Sequence, residues 1–407
     1  MLDSRQIEPE ECDRRPTGMR ILLLSAWFPD PPSNGSRQRI AQLLRALAPA
    51  HEVTLLSFAD QPDVDPASPA VRAVCRGVHV VPAIQFDPRA WCARIAFVSP
   101  RPRSVVATHS RAMAAAVRRA LGERTYDVII ASQLACAGYA PEFRGVRALF
   151  EEVELGAFQV GQSVGVRRWR RAAMWAKYAH HLRVLRHYYR AFTVVSEPER
   201  RLLAAVLGDT PAIDVVPNGV AAAEYGREMD AAQPDTVVFT GSLRYGPNYD
   251  AMRWFLSRVW PRVQRARPAA RLFITGSHGD LPLPAAENVV RTGFMEDIRP
   301  LLASSWVAVA PILSGGGTRI KILEAMASRT PVVATTKGAE GLAASSGEHL
   351  LLADEPVAFA EHILALLGDP LQRARLGEAG RALVEERYDW GVLGRQFEGL
   401  VRAVAAA

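Results

Sequence analysis

Short apolar runs, bounded by glycine, proline and polar residues, alternate along this chain with longer stretches whose apolar positions recur at helical spacing. In the first half, the runs Arg20–Ala26, Glu52–Phe58, Gly77–Pro82, Asp127–Ala131 and Val146–Glu151 predict strands, with helices such as Arg37–Leu47 and His109–Leu121 between them. A long, basic, helical segment spans Val166–Ala191. The pattern then begins again. Strands are predicted at Ala191–Ser196, Ile213–Val216, Thr236–Thr240, Arg271–Thr275, Asn288–Thr292, Trp306–Ile312, Pro331–Thr335 and His349–Ala353. Helices fit Tyr249–Val263, Ile298–Ala303, Thr318–Ala327 and Pro356–Leu367, and helical patterning continues through Glu378–Glu386 and Leu393–Val404. Regular alternation of strand and helix predicts parallel sheets covered by helices on both faces. The fold class is therefore α/β, with two doubly wound, Rossmann-like units. The expected division is a disordered tail over 1–18, an N-terminal domain over 19–190, a C-terminal domain over 191–387 and a last helix over 388–407. A second option puts the junction near 217.

Composition adds limits. The 407 residues suffice for two α/β domains of ordinary size. A net charge of +7 permits contact with phosphates or an anionic membrane surface without specifying either. Nearly all the positive charge is arginine; lysine occurs only at 177, 321 and 337. The cysteines at 12, 75, 92 and 136 are scattered, which indicates neither a zinc cluster nor a disulfide framework and fits a reduced, cytoplasmic compartment. Residues 1–18 lack the apolar core of a secretory signal, and no apolar run approaches membrane-spanning length.

The most informative stretch is Trp306–Ala327. An apolar run is followed by Ser314, Gly315, Gly316 and Gly317, and then by a helical pattern opening at Thr318 and carrying Arg319, Lys321 and Glu324. A glycine loop that bares backbone N–H groups at a helix start suits an anion, because the helix dipole adds to the unpaired donors. Lys321 and Glu324, three apart, share a face. A phosphate with a hydroxylated ring attached would satisfy cation, N–H groups and carboxylate together. Four further loops follow strand ends of the second half and each carries a glycine: Gly241–Gly246 with Ser242 and Arg244, Gly276–His278, Gly293–Met295 with Phe294, and Gly338–Leu342. In open parallel sheets such loops line the ligand crevice.

The run Glu324-Ala-Met-Ala-Ser-Arg-Thr-Pro-Val-Val-Ala334, followed by Gly338-Ala-Glu-Gly-Leu342, resembles the donor-site signature of family 4 glycosyltransferases, also called group 1. The resemblance is strongest over 236–390 and weaker over 19–225. It implies the GT-B fold and transfer of a sugar, with retention, from a nucleotide-diphosphate sugar to a hydroxyl acceptor. It implies no metal and no cofactor beyond that donor. It implies that Arg244 and Lys321 attend the diphosphate, that Glu324 binds the ribose, and that Gly293, Phe294 and Met295 lie beside the nucleobase. Stabilisation of charge growing on the leaving phosphate would then be the main catalytic effect. The terminal helix is expected to cross back onto the first domain, turning at Tyr388-Asp389-Trp390. Pro217-Asn218-Gly219 is expected at the interdomain crevice, although by itself the tripeptide reads equally well as a surface turn. Three departures stand out. Family members carry a glutamate eight residues before Glu324, where this chain has Gly316. The loop after Thr236–Thr240 offers Arg244 but no lysine. The histidine common in the first domain has no match, for the loop after Asp127–Ala131 reads Ser132-Gln133.

The acceptor is expected in the first domain, at Asn34, Gly35 and Arg37, with Glu151, Glu152 and Glu154 as further hydrogen-bonding candidates. Between Arg167 and Arg190 stand eight Lys/Arg and no acid, interleaved with Trp169, Trp175, Tyr178, Tyr188 and Tyr189. That suits an anionic membrane surface, and equally a helix packed on one side and solvated on the other. No nucleic-acid-binding module surrounds it. The expected partners are a nucleotide-sugar and a saccharide or lipid-linked acceptor, at the inner face of a bacterial membrane. Competing motifs are weaker. Asp63-Val-Asp65 spells a metal-dependent Asp-x-Asp in a proline-rich loop, Gly161-Gln-Ser-Val-Gly165 lacks the strand a nucleophile elbow needs, and the first strand lacks the glycine turn of dinucleotide binding. A catalytically degenerate, sugar-binding scaffold is the alternative to an enzyme.

Overall fold

The computed structural model describes residues 18–62, 64–153, 155, 166–208, 212–226, 233–277, 281–315 and 319–407. The expected tail up to residue 17, Asp63, Glu154, the Gly161–Gly165 stretch, His278 and Gly316, Gly317 and Thr318 lie outside the described residues.

Two parallel sheets form. The first contains β1 (Arg20–Ser25), β2 (Glu52–Ala59), β3 (Gly77–Pro82), β4 (Val128–Ser132), β5 (Ala148–Glu151), β6 (Ala191–Val194) and β7 (Ala212–Val215), in the order β3-β2-β1-β4-β5-β6-β7. The second contains β8 (Thr236–Phe239), β9 (Arg271–Thr275), β10 (Val289–Gly293), β11 (Val307–Ala310), β12 (Val332–Ala334) and β13 (Leu351–Leu352), in the order β10-β9-β8-β11-β12-β13. Central strands are apolar along their length because both faces are covered: Ile21, Leu22, Leu23 and Leu24 are all fully buried. Each sheet reverses its winding once, between β1 and β4 and between β8 and β11. Such reversals open a crevice at the carboxyl ends of the strands.

The domain boundary differs from the expected residue 190 and agrees with the second option near 217. β6 and β7 extend the first sheet, with β5 paired to β6 through Leu149–Ala191 and β6 to β7 through Phe192–Ile213. The junction therefore falls at Pro217. A strand's sheet is decided by which neighbour it pairs with, and apolar patterning carries no record of that. The predicted helix Tyr249–Val263 also differs. It runs from Gly246 to Ala266 but is interrupted by a π-helical turn at Phe255–Val259. Pro261 has no N–H to donate back and its ring crowds the preceding turn, which the wider turn accommodates.

The chain crosses between domains twice, and the two crossings are bonded to each other. Val220 N–H donates to the Tyr388 carbonyl at 2.9 Å, Trp390 N–H to Val220 O at 3.1 Å, and Ala222 N–H to Asp389 Oδ2 at 2.9 Å. The helix Trp390–Ala406 then lies on the first domain, burying Leu393, Phe397, Val401 and Val404 in one cluster with Leu43, Leu44 and Leu47 of the helix Gly35–Leu47.

Arg39, fully buried on that first helix, locks this region. Its Nε donates to Glu151 Oε1 at 2.6 Å, and its Nη1 donates to the Pro217 carbonyl at 3.1 Å and to Asn218 Oδ1 at 3.0 Å. Ser132 Oγ donates to the other Glu151 oxygen at 2.5 Å. Removing one member of a buried ion pair leaves the other charge unpaired, which costs about 3–5 kcal/mol, whereas replacing both by apolar side chains is far cheaper. Glu151→Ala should therefore lower unfolding stability by about 3–5 kcal/mol in urea, and Arg39→Met/Glu151→Leu should recover most of the loss. Equal losses in the two variants would show that the pair does not act as a unit.

Candidate functional site

The loops after β8, β9, β10 and β11 converge, and glycines permit it. A Cβ on Gly276 (φ +99) would lie 2.5 Å from the Gly241 carbonyl carbon, so these two backbones pack directly on each other. Gly276 N–H donates to the Gly293 carbonyl at 2.8 Å, Leu243 N–H to Ser277 O at 2.8 Å, and Ser242 Oγ to Ser277 O at 3.1 Å. Gly315 (φ +95) sits against Tyr245 and Pro247. Arg319 is buried and folds back on its own loop, donating through Nη2 to the carbonyls of Gly315 at 2.9 Å and Ser314 at 3.4 Å. It was expected among the ligand contacts; the structure uses it to brace the loop.

The helix Ile320–Ala327 begins two residues later than Thr318, and the side chain of Arg319, its N-cap residue, makes no capping hydrogen bond. Lys321, on its first turn, reaches inward. Its Nζ donates to Asn248 Oδ1 at 2.9 Å and lies 4.1 Å from the centre of the Phe239 ring. A Cβ on Gly241 would come within 2.8 Å of that nitrogen, so the missing side chain at 241 makes the room the ammonium occupies. Asn248 is fixed in turn, its Nδ2 donating to Ser242 O at 2.8 Å. The Lys321 pKa is pushed down to about 7, by burial first and by the Arg319 charge second, with Glu324 opposing both. Glu324, half-buried, accepts from the Tyr225 hydroxyl at 3.3 Å, and burial raises its pKa. Arg244 is exposed on the loop after β8, and Phe294, 68% exposed, stands on the loop after β10 with Met295 half-buried beside it. The sequence-named residues Gly241, Ser242, Arg244, Gly276, Gly293, Phe294, Met295, Ser314, Gly315, Lys321 and Glu324 thus fall on the carboxyl-end loops of one sheet and the helix that follows β11.

The first domain places its candidates differently. Asn34 caps the helix Gly35–Leu47, its Oδ1 accepting from Arg37 N–H at 3.0 Å. Gly35 abuts the opposite domain, since a Cβ there would meet Ile320 Cδ1 at 2.8 Å. Arg37 is fully buried. Its Nε and Nη2 pair with Asp60 Oδ2 at 3.0 and 2.7 Å, and its Nη1 donates to the Pro31 carbonyl at 3.1 Å. Arg37 therefore shapes the loop after β1 rather than facing an acceptor, and Glu151 is consumed by Arg39 in the same way.

What opens at the winding reversal of the first sheet is instead a cavity of about 390 Å³, lined on its polar side by Trp27, Ser36, Gln133 and Glu152. Trp27 Nε1 donates to Gln133 Oε1 at 2.7 Å, and Gln133 Nε2 donates to Glu152 Oε2 at 2.8 Å, so the indole fixes which way the amide faces. Gln133 (φ +63) and Glu152 (φ +57) both hold left-handed backbone, which is uncommon outside glycine and recurs at functional sites. Sequence reasoning gave Gln133 and Trp27 no role. The available signal was Gln133's position directly after a strand at the reversal. Among the described residues no group of three or more His, Cys, Asp or Glu side chains could hold a metal ion.

Two parallel α/β domains facing each other across loops at both carboxyl ends define the GT-B class. Solved structures of that architecture cover nearly the whole chain: sucrose-phosphate synthase from Thermosynechococcus elongatus (TM-score 0.69, 19% identity, 95% of this chain and 99% of that one) and Anabaena HepE in complex with UDP and glucose (0.66, 15%, 95% and 100%). Residues 34–219 match the glycosyl transferase 4-like domain and residues 234–369 match the glycosyl transferases group 1, so the two matches together span most of the chain. Among curated relatives, it is 31% identical over 231 residues to the phosphatidyl-myo-inositol mannosyltransferase of Mycobacterium tuberculosis (52% of this chain, 59% of the relative). It is 30% identical over 163 residues to the GDP-mannose-dependent monoacylated alpha-(1-6)-phosphatidylinositol monomannoside mannosyltransferase of Corynebacterium glutamicum (36% and 43%). The matched region thus spans about two- to three-fifths of these relatives' lengths.

A lysine with a depressed pKa has a consequence for stability that needs no ligand. Between about pH 7 and the unfolded lysine value of 10.5, the folded chain holds fewer protons than the unfolded one, so stability rises with pH across that window. Lys321→Met should remove this slope and leave the variant more stable than the parent at neutral pH, by up to about 4 kcal/mol before the lost Asn248 hydrogen bond and ring contact are counted, the gap closing toward pH 10. Denaturant titrations across that range check it; parallel stability profiles for both proteins would contradict it.

Proposed function

We propose that this protein transfers a sugar from a nucleotide-diphosphate sugar to a hydroxyl of a saccharide or lipid-linked acceptor, with retention and without a metal. The observation that carries the reading is the convergence at Lys321. A desolvated amine on the first turn of its helix meets the glycine loops after β8 and β9 at one point at the carboxyl end of the sheet. A diphosphate there would restore the charge that burial disfavours.

In this reading Glu324 accepts from the ribose hydroxyls, displacing or sharing the Tyr225 hydroxyl, and the exposed Phe294 ring offers a face to the base. Lys321, the helix start and Arg244 stabilise negative charge as the bond to the leaving diphosphate breaks. The departing phosphate oxygen then takes the proton of the acceptor hydroxyl on the same face. Gly316 stands where related chains carry a glutamate, so the donor sugar is positioned without that carboxylate. HepE was solved with UDP and glucose, and the corynebacterial relative is named as GDP-mannose-dependent; both names support a nucleotide-sugar donor. The named phosphatidylinositol-type substrates of the actinobacterial relatives support a glycolipid acceptor, and the Trp27–Gln133–Glu152 cavity is the place for its sugar. No helix among the described residues is long and apolar enough to cross a membrane; we place the reaction at the cytoplasmic face of the membrane, in bacterial glycolipid or polysaccharide assembly.

Calorimetry with UDP- and GDP-sugars tests the donor half. Glu324→Ala should weaken the better donor by about 1.5–3 kcal/mol, the worth of a charge-assisted hydrogen bond. Parent affinity should fall as pH rises above 7, by at most about tenfold per unit, and Lys321→Met should flatten that dependence. Binding untouched by either substitution would refute the site. For the acceptor half, Gln133→Ala should raise the acceptor KM while leaving donor affinity unchanged; a parallel loss of donor affinity would move Gln133 into the donor site.

A further inference from the structure

The first domain carries apolar side chains that its own core does not use. Trp91 is 70% exposed, Phe97 66%, Val98 88% and Trp169 80%, and Ile84, Phe86, Ile95 and Met174 are exposed as well. A single exposed apolar residue means little, whereas a cluster of them marks a surface meant to be covered. These residues come from two stretches that fold onto each other. The segment before the short helix Arg103–Ala107 is strapped to the basic helix Val166–Leu185. Lys177 Nζ donates to the Phe97 carbonyl at 2.5 Å, Ser104 Oγ and Tyr178 Oη share a hydrogen bond at 2.7 Å, and Arg103 Nε donates to Ala93 O at 2.7 Å. The Phe97 ring lies between two cations, 5.6 Å from Lys177 Nζ and 5.7 Å from the Arg103 guanidinium.

The basic helix is docked mainly through its second half, with Trp175 partly buried against the same core. Tyr178, Ala179, His181 and Leu182 are buried, while Trp169, Arg170, Ala172, Ala173, Met174 and Ala176 are all exposed. The charge of these two segments is predominantly positive. Residues 84–103 hold four arginines and a single acid, Asp87, and residues 166–190 hold eight Lys/Arg and no acid.

We infer that the segment 84–98 and the exposed half of the basic helix together form an interfacial anchor. It seats Trp91, Phe97, Val98 and Trp169 in an anionic lipid surface while the flanking arginines and Lys177 meet the headgroups. Aromatic side chains favour the boundary between headgroups and acyl chains, and basic residues near an anionic leaflet each add attraction of about 1 kcal/mol. Neither element alone suffices: the helix supplies charge, and the 84–98 segment supplies most of the apolar area. The placement also has a use, which rests on the acceptor reading given above. Ser104 and Val105, next to the anchor segment, and Tyr178 and Leu182 of the basic helix contribute to the lining of the cavity that holds Gln133 and Glu152. The lipid-facing ridge and the cavity therefore share their supporting elements, so a headgroup lifted from the bilayer has a short path to the site.

Vesicle co-sedimentation of the full chain tests the anchor without calling on activity. The parent should bind vesicles of equimolar phosphatidylglycerol and phosphatidylcholine, with a blue-shifted tryptophan emission, and should bind pure phosphatidylcholine at least about tenfold more weakly. Trp91→Ser/Val98→Ser/Trp169→Ser should lose about tenfold or more on the anionic vesicles, with its thermal midpoint and its nucleotide-sugar affinity unchanged. Arg89→Gln/Arg94→Gln should weaken binding and reduce its salt dependence. Equal binding to neutral vesicles, or full binding by the triple variant, would overturn the inference. So would sedimentation velocity showing a dimer that the triple variant abolishes, since the ridge would then be covered by a second copy. Failure of nucleotide-sugar binding in the parent would remove the acceptor reading and leave the vesicle result standing.

Discussion

The arrangement of both domains depends on one buried guanidinium. Arg39 stands on the first helix, yet it holds the end of β5 through Glu151 and the first interdomain crossing through Pro217 and Asn218. Glu151 is tied in turn to Ser132 at the end of β4. A single charge pair in a dry environment therefore fixes two strand ends beside the cleft and the point where the chain leaves the domain. Desolvating these groups is costly, and only simultaneous pairing of carboxylate and guanidinium with well-placed oxygens offsets it. The second crossing is bonded to the first at Val220 and Trp390, so the geometry set by Arg39 is passed to both connections.

Across the cleft the governing constraint is the absence of side chains. Gly241 and Gly276 bring two loops into backbone contact, and the space above Gly241 is filled by the Lys321 ammonium. The same crowding that admits the amine strips it of water, and its pKa falls to about 7. A half-buried cation whose ammonium is held by a neutral amide and an aromatic face is incompletely compensated. That is a poor arrangement for stability and a good one for recognising an anion, and the conflict is what marks the place as a site.

Much of the site could be read along the chain because its parts are local. The glycine-rich loop, the helix behind it and the spacing of Lys321 and Glu324 are short-range features, and short-range features are what a linear pattern records. The first domain was less legible. Arg37 and Glu151 look like exposed polar groups next to a loop, but Asp60 and Arg39 bury them through partners 23 and 112 residues distant. Arg319 reads as a ligand-facing cation, yet it turns back to its own loop carbonyls. Gln133 and Glu152 gave no turn signal, since neither is the glycine that left-handed backbone favours. Whether β6 and β7 belong to the first unit or the second stayed open between junctions near 190 and near 217, because strand pairing is decided across space.

The sequence by itself determined that this is an α/β protein of two parallel-sheet units, that the second carries a glycine loop and helix suited to phosphate, and that a basic aromatic helix spans the residues after 166. Periodicity and local turn chemistry suffice for that, because each element's apolar face is written in its own residues. Only the tertiary structure decided which charged groups face the cleft and which are spent on each other. Only it decided where the first sheet ends, and that residues 84–98 join the basic helix in one exposed ridge. Those outcomes rest on burial and pairing between residues far apart in the chain, and desolvation is a property of a place in the fold, which no residue carries alone.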